Sequence, residues 1–128
     1  MDVSPGHNVA RLAGTLVFMD AGPGSATIEL YGVEFAPGED PGEQPLVTLL
    51  LAKPSATLTD VLTLHQGDIT GDLILHSGIV KTARFKSATG AWVMDTDAGE
   101  EGGDAAVQLP TTVLRAGGRC PLSLSVIG

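Results

Sequence analysis

The sequence predicts a mainly β domain: an antiparallel β-sandwich or partly closed barrel of about seven strands, with one short N-terminal helix. Three observations predict it. Apolar and polar residues alternate at period two in several separate runs, the pattern of half-buried strands. Gly (17) and Pro (8) together make up about a fifth of the 128 residues, so turns are frequent and elements short. One early segment instead repeats with helical period. The length is that of one domain, and with only Phe18, Tyr31, Phe35, Phe85 and Trp92 as aromatics its core must be aliphatic.

Residues 1–7 are short, polar and broken by Pro5-Gly6, which predicts an extended arm before a single domain over 8–128. Asn8 is a fair N-cap. Behind it Val9, Leu12, Leu16 and Met19 share one helical face, and Gly22-Pro23 is a stop, so a helix is expected over Asn8–Ala21, with a strand as the alternative because of Gly14 and the β-prone Thr15–Phe18. Ala26, Ile28 and Leu30 then alternate with Thr27, Glu29 and Tyr31 as a strand. Phe35–Pro45 is Pro-, Gly- and acid-rich and reads as a long loop, a common place for contacts. Leu46–Ala52 is nearly continuous apolar and predicts a central strand covered on both faces, stopped by Lys53-Pro54. Val61–His65 is a short strand. Ile79–Lys86 and Ala91–Met94 around Ser87–Gly90 predict a hairpin. Asp95–Asp104 reads as an acidic, Gly-rich connection. Ala106–Leu109 and Thr112–Leu114 are short apolar pieces. Arg119–Ile127 is a final strand with Leu122, Leu124 and Val126 on one side and Ser123 and Ser125 on the other.

Fifteen acids against seven bases give a net charge of −8. Nucleic acid is bound by neutralising its phosphates. The one basic stretch, Lys81, Arg84 and Lys86, has no interleaved aromatics and reads as a solvated strand. Neither a nucleic-acid nor a membrane partner is expected. No apolar run approaches the length of a membrane span, and no basic segment precedes an apolar one, so no signal peptide is expected.

Chemistry-bearing constellations are sparse. Asp95, Asp97 and Glu100 resemble half of a calcium loop, but no carboxylate stands at the twelfth position, where Ala106 lies. A solvated loop is the simpler reading, and no cofactor is expected. His7, His65 and His76 lie on separate elements without metal-ligand spacing. Cys120, the lone cysteine, is followed by Pro121 and fits a small packing residue better than a nucleophile. No serine-hydrolase elbow or phosphate-binding loop is present, so a non-enzymatic role is expected. Trp92 has the largest anchoring potential, by stacking or at an interface, although a half-buried core position is its commoner use. The acidic segments, with Glu39 and Asp40 in one and Asp97, Glu100 and Glu101 in the other, are expected to protrude and to be ordered by neighbouring molecules with basic surfaces.

Ser77-Gly78, Ala83-Arg84-Phe85, Gly90, Val93, Asp95, Asp97, Val107, Leu109, Ala116-Gly117 and the alternating last strand form one pattern. Upstream, Asp20-Ala21-Gly22 and the run from Ala26 to Tyr31-Gly32 fit it. The pattern resembles small proteins encoded among the virion genes of tailed bacteriophages and prophages. The chain departs from it at Lys81-Thr82 and in the enlarged 95–104 segment. The resemblance implies a structural, non-enzymatic virion component acting through protein–protein contacts in a tail, tail-tip or fibre-associated position. It would be assembled in the bacterial host cytoplasm. Its partners would be other virion proteins and further copies of this chain, a homo-oligomer. A capsid decoration protein is the alternative within this class. Outside it, a carbohydrate-binding β-sandwich would use Trp92 and Tyr31 as a stacking platform.

Overall fold

A computed structural model describes residues 4–68 and 70–128. Ser4 caps a helix α1 (Pro5–Asp20), its Oγ accepting from the His7 N–H at 3.2 Å. Pro5 is the first helical residue, where its fixed φ suits the helix and its missing N–H is not needed. The helix therefore starts three residues before the expected Asn8, and Pro5-Gly6 is a beginning rather than a break; residues 1–3 of the expected arm lie outside the described residues. Leu12 and Met19 are buried and Leu16 packs against them, the predicted face. The C-terminal end of the helix and the turn after it are tied to two later segments of the chain. Ala88 donates to the Met19 carbonyl, the Asp20 carboxylate accepts from the Ser55 N–H, and Lys53 Nζ donates to the carbonyls of Gly22 and Gly24.

Among the described residues the helix is succeeded by eleven strands: β1 (Thr27–Tyr31), β2 (Val47–Leu58), β3 (Leu62–Gln66), β4 (Asp72–Leu73), β5 (Gly78–Ile79), β6 (Thr82–Lys86), β7 (Trp92–Glu100), β8 (Val107–Leu109), β9 (Val113–Leu114), β10 (Arg119–Cys120) and β11 (Leu124–Ile127). Seven of them close a barrel in the order β1-β2-β3-β11-β8-β7-β6, with β6 returning to β1. Among the described residues the protein is thus mainly β with one helix and a barrel of seven strands, as expected, and the barrel is fully closed. Ile28 lies opposite both Leu49 and Phe85, and Leu30 opposite both Val47 and Ala83. Residues directly opposite share a face, so these side chains converge on one aliphatic interior around Phe85.

One pair departs from the antiparallel expectation. β8 runs parallel to the end of β7, with Ala98, Gly99 and Glu100 opposite Val107, Gln108 and Leu109. Parallel strands usually need a long crossover. Here the chain retreats only two strand positions, roughly 7 Å, which the turn after Glu100 spans.

The structure corrects four boundaries or faces. Lys53-Pro54, a cis peptide, does not end β2; the strand continues to Leu58. Between the pairs Leu51–Gln66 and Ala56–Leu64 the register slips, and Pro54 sits in this bulge, where its missing N–H breaks no ladder bond. Leu46–Ala52 is covered on one face only: Val47, Leu49 and Leu51 are buried, whereas Leu50 is 50% exposed. Ile79–Lys86 is not one strand but β5 and β6, split because Val80 N–H donates to Thr112 and Lys81 N–H to Tyr31. The expected last strand, Arg119–Ile127, is broken into β10 and β11, and in β11 the fully buried residue is Ser125. Ser125 lies opposite Val107 and Ile127 opposite Leu62, both buried, so the register turns Leu124 outward.

The four short strands outside the barrel belong together. β4 pairs with β10 and β5 with β9, both antiparallel. Between them Gly117 N–H donates to the Ile74 carbonyl and Ala116 N–H to Ser77 Oγ. Residues 72–79 and 113–120 are therefore one interrupted ribbon. It lies along the first half of β2, where Leu46 O accepts from Leu75 and Asp72 accepts from the Leu50 N–H. Ile74, Leu114 and Cys120 seal the core from this side. Gly71 begins the ribbon at φ +98°, and a Cβ there would stand 2.5 Å from the Cys120 carbonyl carbon, so only glycine allows this approach.

Candidate interaction site

On the outer wall of the barrel Glu29, Arg84 and Asp95 form one row across β1, β6 and β7, because Glu29 is opposite Arg84 and Arg84 opposite Asp95. Arg84 grips Asp95 with two bonds, Nε to Oδ1 at 2.7 Å and Nη2 to Oδ2 at 3.0 Å. The side chains of the pair are 11% and 3% exposed. Arg84 Nη2 also donates to the Glu39 carbonyl at 2.6 Å, and Gly38 N–H donates to Asp95 Oδ2 at 2.7 Å. The Phe35 ring stacks under the guanidinium, 4.9 Å from its carbon, and meets Tyr31 edge-on at 5.4 Å. Tyr31 is buried and donates to Glu29 at 2.8 Å; Glu29 also pairs with Lys86 at 3.2 Å.

These contacts hold the long loop after β1 against the barrel. Burial alone would raise the Asp95 pKa, but the bonds from Arg84 and Gly38 outweigh it and keep the carboxyl below the usual carboxylate range. Glu34, Glu39, Asp40 and Glu43 remain exposed on this anchored loop. Between loop and wall lies an open cleft of about 450 Å³, lined by Glu29, Tyr31, Glu39, Asp40, Arg84 and Lys86 among others. Arg84 is already neutralised by Asp95 and Lys86 by Glu29, so the unpaired charge around the cleft is acidic. Such a cleft suits a cationic side chain.

Comparison with known proteins finds no matching family model, no matching curated protein and no matching solved structure.

The residues singled out in the sequence are dispersed. Glu39 and Asp40 lie on the anchored loop, which its own barrel orders without a neighbour. Asp95 to Glu100 belong to β7 rather than to a loop, so the expected connection shrinks to the turn before β8. The calcium candidates do not converge. Asp95 is committed to Arg84, Asp97 accepts from Ala106 N–H at 3.1 Å, and Glu100 is exposed at the strand end. Among the described residues no group of three His, Cys, Asp or Glu side chains could hold a metal ion. Glu101 is exposed in the turn. Trp92 is 50% exposed rather than core, with its ring against Gly38, where a Cβ would stand 3.5 Å away. Tyr31 is covered by Phe35, so the two do not form a platform. Among the described residues no helix is long and apolar enough to cross a membrane.

Arg84 was the residue least visible in the sequence. It belongs to the stretch read as a solvated strand, yet it is buried and organises the loop. Its signal was its position between the core residues Ala83 and Phe85, opposite an acid across a tight hairpin. Cys120 is buried. Burial, and behind it the charge of Asp72, pushes its thiol up to about 11. The native protein is therefore expected not to react with an aromatic disulfide reagent at neutral pH, with labelling appearing only on unfolding. Rapid labelling of native protein would contradict this burial.

Proposed function

We propose that this protein is a non-enzymatic structural component of a tailed-phage particle, in a tail, tail-tip or fibre-associated position. It docks a basic surface of a neighbouring virion protein on the acidic loop 34–43. One observation carries the docking element: the Arg84–Asp95 pair fixes the loop backbone while four carboxylates stay in solvent. A recognition loop ordered beforehand loses little conformational entropy on binding. Its exposed charges steer association and are screened by salt. The virion setting rests on the resemblance of the sequence pattern.

Replacing Glu39, Asp40 and Glu43 together by their amides should weaken incorporation into particles, with the melting temperature unchanged. Release of the wild-type protein should rise with salt. The measurement is quantitative mass spectrometry of purified particles, with immunogold labelling to locate the protein. Full incorporation of the triple variant at all salt concentrations would remove the acidic loop from the interface. Absence of the protein from particles would remove the virion reading, and label on the capsid shell would exchange the tail position for decoration.

A further inference from the structure

The ribbon of residues 72–79 and 113–120 has an outward side that the acidic loop does not explain. Leu73 stands opposite Arg119 and Ile79 opposite Val113. Leu73, Leu75, Ile79 and Val113 are each about half exposed or more. Single exposed apolar residues are ordinary, but four on one ribbon form a patch of the kind that proteins cover. The face is also unlike the rest of this acidic chain in charge. The exposed Arg115 and Arg119 belong to it, against Asp72, whose carboxylate is engaged by Gln66 and the Leu50 N–H.

Its two ends are complementary. One end presents Leu73 side by side with Arg119, which is exposed and makes one long contact, 3.4 Å, with the Gly71 carbonyl. Asp68 at this end is occupied by the N–H and hydroxyl of Thr70. The other end borders a cleft of about 490 Å³ whose wall is apolar at Leu46 and Ile79 and polar at Glu43, Gln44, His76 and Ser77. Gly78 keeps the cleft open, since a Cβ there would stand 3.1 Å from the Leu46 methyl carbons. An apolar knob beside a cation thus occurs at one end, and a cleft with one apolar wall and a carboxylate at its rim at the other. A two-fold axis across the ribbon brings unlike ends together twice, which is the condition for a closed isologous contact.

We propose that the ribbon face is a homodimer interface. Leu73 of each copy enters the Leu46–Ile79 cleft of the other, and Arg119 of each pairs with Glu43 of the other. This goes beyond the docking reading above. Glu43 also belongs to the acidic loop, but Arg119 and Leu73 do not, so variants at those two positions test this face alone.

The test is sedimentation equilibrium of the full chain over a hundredfold concentration range, with thermal melts to confirm folding. The wild type should associate reversibly to a dimer. Arg119→Glu should raise the dimer Kd at least about tenfold, because it sets like charges against each other. Glu43→Arg should do the same. The double variant Arg119→Glu/Glu43→Arg should restore the Kd to within about threefold of wild type, because the pair is only reversed. Leu73→Gln, an exposed position with no fold to lose, should also weaken the dimer. A wild type that is monomeric at every concentration, a dimer indifferent to Arg119→Glu and Leu73→Gln, or a double variant no better than the singles would each overturn the proposal.

Discussion

Replacing Arg84 by Ala is expected to destabilise the protein by about 3–5 kcal/mol, a large share of the total for a domain of this size. The cause is the partner left behind. Asp95 is almost wholly covered and would keep its charge without a guanidinium, and the Glu39 carbonyl would lose its donor. Removing both charges should be milder: Arg84→Met combined with Asp95→Leu leaves no buried ion, so the double variant should be more stable than Arg84→Ala. Chemical denaturation of the three proteins decides this. Equal loss in the single and double variants would mean that the pair contributes packing only.

The same pair gives a pH dependence with a definite sign. The folded pKa of Asp95 is lowered relative to the unfolded chain. Its contribution is therefore fully present above the unfolded value and is lost as pH falls through the lowered folded value. Asp95→Asn should flatten that part of the acid unfolding curve. In Asp95→Ala, which removes the acceptor, Gly38 should also lose amide protection, because its N–H donates to Asp95.

Leu49→Asn is expected to cost about 4 kcal/mol or more, and the neighbouring Leu50→Asn less than about 1 kcal/mol. Leu49 is fully buried and faces Ile28 across β1. An amide there would lose the side chain's packing and find no partner in an aliphatic interior. Leu50 points outward and is half exposed. The two adjacent leucines are chemically identical, so the difference between them isolates the face on which each lies. Urea midpoints measure it, and a larger loss at Leu50 would reverse the inside and outside of β2.

The fold class, the helix face and most strand positions were legible in the sequence because they rest on local periodicity. Val9, Leu12, Leu16 and Met19 fall on one face at helical spacing, a signal that outweighs the β-prone Thr15–Phe18, and Ile28 and Leu30 lie on one side of any strand that contains them. The hairpin around Ser87–Gly90 was legible for the same reason. The candidate site was legible only in part: Glu39 and Asp40 announced an acidic loop, but nothing local pointed to Arg84 as its anchor. Tertiary structure decided every question that depends on a partner distant in sequence. Asp95 is an internal ligand of Arg84 rather than a calcium ligand because β6 and β7 bring the two opposite each other. Ser125 faces inward although Leu124 is the greasier residue, because pairing with Val107 and Leu62 sets the register of the whole strand. Leu50 is exposed because a closed barrel has a single interior, so an apolar run along its wall cannot be covered on both sides by the barrel alone. Periodicity belongs to the chain, whereas the identity of the inner face belongs to the closure of the sheet.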